Sequence, residues 1–131
     1  MGLSGFIIDT NILIYYFSGA LNQGIAEYVS KAIKVHFGVS VISEIEFLGW
    51  QGFQSTPDDY AQARIFLKDA LLYPLTPEIA QRAIAIRQNY KIKTPDAVIA
   101  ATALEHDLTL LSRNEKDFAA LPELIYVNPF A

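Results

Sequence analysis

The chain contains no cysteine and only two histidines. A disulfide framework and thiolate metal sites are therefore excluded, and a reducing cytoplasm is the expected setting. Positive charge is also scarce: 10 Lys and Arg stand against 14 Asp and Glu, a net charge of −4. Such a balance gives no global attraction for nucleic acid, so any basic footprint must be local. Membrane-type segments are missing as well. Leu3 to Phe17 is apolar, but it has no basic leading region and is broken by Asp9 and Asn11, so neither a signal peptide nor a membrane span is expected. There is no internal repeat, low-complexity tract or linker, and at 131 residues a single domain over residues 1–131 is expected.

What is present is apolar sequence, 52% of the chain, arranged as alternating strand and helix signals. Phe6 to Ile8 reads as a first strand, followed by a helix through Ile12, Leu13 and Tyr16. Ala26, Val29 and Ile33 have helical spacing and precede a second strand at Phe37 to Val41. Ile42 to Trp50 and Asp58 to Leu72 read as helices, with Tyr73-Pro74-Leu75 as an edge strand where proline is tolerated. Ile79, Ala83, Ile86 and Tyr90 share one helical face. Ala97 to Leu104 is apolar nearly all round, which marks a buried helix. Leu108 to Leu111 and Leu124 to Val127 are the last strand candidates. The alternation predicts an α/β fold, a three-layer α/β/α sandwich with a central parallel sheet.

Acidic residues fall where these elements change. Asp9 closes the first strand, Glu44 and Glu46 follow the second, Asp96 opens the buried helix, and Asp117 follows the strand at Leu108 to Leu111. Ligands of open α/β sheets bind outside the carboxyl ends of the strands. Carboxylates gathered there, without thiols, favour a hard cation such as Mg²⁺. The plainer reading of each acid is a helix cap. Thr56-Pro57-Asp58, Thr76-Pro77-Glu78 and Thr94-Pro95-Asp96 repeat one pattern: a threonine N-cap, proline at the first helical position, then an acid in the positive end of the dipole. Asp96 differs because its helix is buried, whereas the other two triplets open amphipathic surface helices. Glu44 and Glu46 lie about 200° apart on a helix, so both cannot face one site.

The segments Ile8-Asp9-Thr10-Asn11, Ser40 to Phe47, Pro95 to Ala103 and Leu108 to Phe118 together closely resemble the PIN domains of VapC-type toxins, in order and over nearly the full chain. The resemblance implies an α/β/α sandwich, Mg²⁺- or Mn²⁺-dependent ribonuclease activity, a small VapB-like antitoxin as partner, and homodimers. By the same resemblance Asp9 and Asp96 are two of the site acids. Glu46, three residues after Ser43, is another, with Glu44 as its alternative. Many PIN domains place an aspartate where Asn114 stands; Asn114 keeps an oxygen but loses a charge, so the fourth acid is assigned to Asp117. Asn11 and Ser112 match positions that orient the acids by hydrogen bonds.

Clustered carboxylates repel and hold protons unless a cation neutralises them. Mg²⁺ needs only one or two direct carboxylates; Asp9 and Asp96 are expected to supply them, with Glu46 and Asp117 acting through water or holding a second ion. His36 and His106 fall at helix ends, suited to the dipole rather than to catalysis. Lys91, Lys93, Arg113 and Lys116 flank the acidic motifs and are expected to bind RNA phosphates, with stacking of bases on Tyr15 or Tyr16. Apolar surplus at Ile12, Leu13, Tyr15, Tyr16 and Phe17, and at Phe47, Leu48 and Trp50, predicts a groove for an antitoxin helix adjoining the acidic pocket. The rival within the same fold is a catalytically worn module that binds RNA or protein, with Asn114 as the sign of wear. Phosphatase-like and receiver-like domains are disfavoured, since the former wants an aspartate at Asn11 and the latter paired acids near the start.

Overall fold

The computed structural model describes residues 5–130. Five strands are present among them: β1 (Phe6–Ile8), β2 (Phe37–Ser40), β3 (Leu71–Tyr73), β4 (Thr109–Leu111) and β5 (Tyr126–Val127). The helices are α1 (Thr10–Ser18), α2 (Gln23–Val35), α3 (Val41–Leu48), α4 (Pro57–Leu67), α5 (Pro77–Asn89), α6 (Thr94–His106) and α7 (Glu115–Phe118), with a 3₁₀ turn at Gln51–Gln54. Every strand pairing is parallel, in the order β3-β2-β1-β4-β5. The chain steps from β1 through β2 to β3, then crosses back by α5 and α6 to lay β4 on the other side of β1. The strand order therefore reverses between β1 and β4.

Side chains of successive strand residues point to opposite faces, and both faces are buried. Ile7 and Leu110 face a core shared with Ile79, Ala83 and Ile86 of α5 and with the buried run Ala97–Ala103 of α6. Ile8 and Leu111 face the other core, with Ile12 and Leu13 of α1, Val29 of α2, Phe47 of α3 and Leu67 of α4. The expected three-layer α/β/α sandwich with a central parallel sheet is the observed fold. No helix of the described residues is long and apolar enough to cross a membrane.

Several boundaries differ from the sequence reading. β2 stops at Ser40, because Ser40 is the N-cap of α3 and its Oγ accepts from Ile42 N at 3.1 Å. The helix expected to reach Leu72 ends at Leu67, and the edge strand is Leu71–Tyr73 rather than Tyr73–Leu75. Pro74 has no N–H to give the ladder, so pairing ends before it. Leu108 lies outside β4, and β5 takes only the last two residues of its predicted span. Of the Thr-Pro-acid triplets only Thr76 caps with its side chain, accepting from Ile79 N at 3.2 Å. Thr56 makes no such bond, and Thr94 lies inside α6, whose N-cap is Lys93. Asp96 also follows a helix, α5, rather than a strand.

Phe118 ends α7 and is fully buried beside Leu121 and Leu124, so it anchors the segment that carries Asp117. Phe118→Ala is expected to cost about 3–5 kcal/mol through lost burial and a residual cavity. Urea unfolding should report this as a lower midpoint at unchanged slope; an unmoved midpoint would mean that the anchor lies elsewhere.

Candidate active site

The reversal between β1 and β4 opens a crevice at the carboxyl ends of the strands, where ligands of such sheets bind. Asp9 follows β1 as the N-cap of α1. Its Oδ1 accepts from the Thr10 backbone N–H at 2.8 Å and its Oδ2 from Ser112 Oγ, just after β4, at 2.7 Å. Thr10 Oγ1 donates to Glu46 Oε1 of α3 at 2.6 Å and lies 2.9 Å from Ser43 Oγ. Its single proton goes to the carboxylate, the stronger acceptor, which leaves the Ser43 hydroxyl to donate to Thr10. Asn114 Nδ2 donates to Asp117 Oδ2 at 3.0 Å and to Asp96 Oδ2 at 3.5 Å, while Asn114 N donates to Ser112 Oγ at 2.9 Å. Asp9, Thr10, Asn11, Ile14, Glu46, Asp96 and Asn114 line one cavity of about 460 Å³.

The electrostatics are those of an uncompensated acid cluster. Burial, then repulsion from Asp9, Asp117 and Glu46, pushes the Asp96 carboxyl up to about 6, with only Lys93 acting in the opposite sense. Asp9 is also raised, chiefly by burial, against the hydrogen bonds from Ser112 and Thr10. Asp117 does not line the cavity; it reaches the cluster through Asn114 and through its charge on Asp96.

Not every candidate residue joins this cluster. Glu44 faces a different cavity, with Arg64 and Lys68, as the angular separation on α3 requires. Asn11 lines the acidic cavity but, among the described residues, makes no hydrogen bond to an acid, whereas Ser112 does. Thr10 was overlooked, although its position beside Asp9 in the first motif was the available signal. Lys91, Lys93, Arg113 and Lys116 are all exposed. His36 and His106 precede β2 and β4, at the amino edge of the sheet, and both meet the side chain of Tyr73, His36 Nε2 lying 2.8 Å from Tyr73 Oη and the His106 ring 4.6 Å from that of Tyr73. They end α2 and α6, remote from the acids.

An apolar cavity of about 700 Å³ runs between α1, α3 and α4, lined by Ile14, Phe17, Phe47, Trp50 and Phe53, with Asp59 and Gln62 at its polar side. Ile14 borders both cavities, so the apolar groove adjoins the acidic one. Ile12 and Leu13 belong to the core, and Tyr16 packs on Phe66. The exposed contribution comes instead from Ile14 and from Trp50, which is 59% exposed.

A carboxylate site at the switch point of a parallel α/β sandwich defines the class, and its family follows. Residues 6–124 match the PIN domain family, and the chain belongs to it. A chain of a toxin–antitoxin complex from Klebsiella pneumoniae is 34% identical over 95% of this chain and 98% of that one, with a TM-score of 0.77. A chain of DNA-bound VapBC from Salmonella typhimurium superposes with a TM-score of 0.82 at 19% identity, over 98% of this chain and 99% of that one. For FitAcB from Neisseria gonorrhoeae the values are 0.79 and 22%, over 95% of this chain and 98% of that one. These last two likenesses are of fold. The resemblance to VapC-type PIN domains is borne out. No curated protein matches the chain significantly.

Because Asp96 is raised from an ordinary 3.8 to about 6, the folded state binds its proton more tightly than the unfolded chain does. That stabilisation is full below pH about 4 and is lost as pH rises through about 6. In chelator, Asp96→Asn should therefore melt higher than the wild type at pH 7, with the difference shrinking towards pH 4. A lower melting temperature for the variant at pH 7 would assign Asp96 a purely structural role at the start of α6.

Proposed function

We propose that this protein is a divalent-metal-dependent endoribonuclease and the toxin of a toxin–antitoxin pair. The observation that carries the reading is the convergence of Asp9, Glu46 and Asp96 on one cavity, where burial first and the neighbouring acids second lift Asp96 to about 6. A cluster of unpaired carboxylates is stabilised by a cation. Among the described residues no group of three or more His, Asp or Glu side chains is placed to hold a metal ion by itself. The donor set suits Mg²⁺ or Mn²⁺, since Mg²⁺ takes one or two direct carboxylates and keeps its waters. Asp9 and Asp96 would hold it directly, with Glu46 and Asp117 acting through water. When bound, it supplies a water of lowered pKa and offsets charge on the phosphate.

The chain's own groups do the rest. Ser112 and the Thr10 backbone fix both oxygens of Asp9, Thr10 fixes Glu46, and Asn114 ties Asp96 to Asp117. Outer-shell donors of this kind hold ligands in place. Lys91, Lys93, Arg113 and Lys116 bind RNA phosphates on either side of the scissile bond. No histidine serves as base, because both lie at the opposite edge of the sheet. The amide of Asn114 donates to two acids, so it completes the cluster and gives no support to a worn site.

The solved relative described as a toxin–antitoxin complex supports an antitoxin as partner here. The groove at Phe17, Phe47 and Trp50 would take the apolar face of its helix. A basic side chain of that partner, passing Ile14, would enter the acidic cavity and compete for the carboxylates. Exposed Leu71, Leu72 and Leu75 around the β3 edge favour a homodimer, since apolar patches mark partners.

Cleavage of single-stranded RNA should require Mg²⁺ or Mn²⁺, stop with chelator, and be lost in Asp96→Asn. Ser112→Ala should lower kcat/KM by roughly 10–100-fold, the usual effect of an outer-shell partner. Metal-independent cleavage, or full activity in Asp96→Asn, would sink the assignment.

For the antitoxin, Trp50→Glu should weaken binding by about 30-fold or more, as expected for a buried aromatic anchor, without unfolding the toxin. Undiminished affinity by calorimetry would place the partner's groove elsewhere.

A further inference from the structure

After β5 the chain turns back towards α7 and α1. Asn128 Nδ2 donates to Glu115 Oε2 at 2.9 Å, and Phe130 N donates to Asn128 Oδ1 at 2.9 Å. The first bond ties the turn to α7, and the second closes the turn on the backbone of Phe130. That ring meets Tyr15 of α1 edge to face, with centroids 6.4 Å apart and planes at 79°. Its face carries the Arg113 guanidinium, 4.4 Å from the ring centroid.

Arg113 stands between two residues that bind the acids: Ser112 holds Asp9, and Asn114 holds Asp96 and Asp117. A long exposed cation next to such a cluster is expected to fold into it and neutralise it. Arg113 does not. Among the described residues it makes no ion pair with a carboxylate, and of the cations only Lys93 acts on Asp96. A guanidinium stacks flat on an aromatic face while its N–H fork stays free for a phosphate. A guanidinium drawn into the acids would instead compete for the cation site and offer nothing to the substrate.

We propose that Phe130 is a positioning residue, holding the Arg113 guanidinium on the rim of the site and out of the carboxylate cluster, where it takes a phosphate of single-stranded RNA flanking the scissile bond. The C-terminal turn thereby sets one contact of the substrate path, although it contributes no acid. This rests on the ribonuclease reading, and it adds Phe130 and Asn128 to the residues on which RNA binding depends.

The test uses a fluorescein-labelled single-stranded RNA oligonucleotide with the full-length protein in chelator, so that binding is read without cleavage, by anisotropy over a salt series. Arg113→Ala should weaken binding and reduce the slope of log K against log salt by about 0.7, the value for one phosphate contact to a single strand. Phe130→Leu keeps apolar bulk against α1 but loses the ring face, and it should give the same loss of slope. The double variant should be no worse than Arg113→Ala alone, and Phe130→Tyr should restore binding. Asn128→Ala, which releases the turn without touching the core, should reproduce part of the loss and only when Arg113 is present; it carries the test if Phe130→Leu does not fold. Wild-type affinity and slope in the folded Phe130→Leu and Asn128→Ala variants would overturn the proposal. An equal loss in the Arg113→Ala background would do the same, because it marks a merely structural role. A wild-type protein that neither binds this RNA nor cleaves it with Mn²⁺ overturns the ribonuclease reading itself.

Discussion

Carboxylates brought together without counter-charge repel, and much of this structure is arranged to hold Asp9, Glu46, Asp96 and Asp117 together against that repulsion. Neutral donors restrain the acids: a serine and a backbone N–H on Asp9, a threonine on Glu46, an asparagine between Asp96 and Asp117. None of these donors brings a positive charge, so the cluster is fixed in place without being neutralised. Burial, and after it the repulsion of the neighbouring acids, lifts Asp96 to about 6. The site is consequently acidic and held by neutral hydrogen-bond donors.

The fold makes that arrangement available. Parallel strands all end at the same edge, and the reversal of strand order between β1 and β4 leaves a crevice outside those ends. Asp9 and the Ser112–Asp117 segment come from the two strands that border it. Asp96 arrives by another route, at the start of α6, which reaches the sheet because its run of small residues packs closely against it. The same wall that bounds the acids on one side bounds the apolar groove on the other through Ile14. A partner seated in the groove is thus next to the chemistry without needing a relay through the protein.

Asp9 was legible in the sequence because it sits where an apolar run gives way to a helix start, and the ordered motifs extended the reading to Glu46, Asp96 and Asp117 and to a family. The errors were local and have local causes. Strong helical periodicity hid β3, whose Leu71 and Leu72 are exposed on an edge and carry no alternation to read. The three Thr-Pro-acid triplets look alike, yet only Thr76 bonds its helix, because whether a hydroxyl caps depends on backbone angles that composition does not set. Glu44 and Glu46 were separable from helical geometry alone, and the structure separates them as that geometry requires.

Periodicity and spacing determined the order of elements and the parallel three-layer fold, since these rest on interactions between near neighbours and on burial of apolar faces; the candidate acids came from the ordered motifs through their resemblance to PIN domains. Only the tertiary structure decided which acids meet in one cavity, that Asn114 ties two of them together, and that Thr10 reaches Glu46, 36 positions away. It also decided that Phe130 takes up Arg113. The physical reason is that hydrogen bonds and ring contacts act over a few ångströms, and which side chains come that close depends on strand order, which local sequence does not encode.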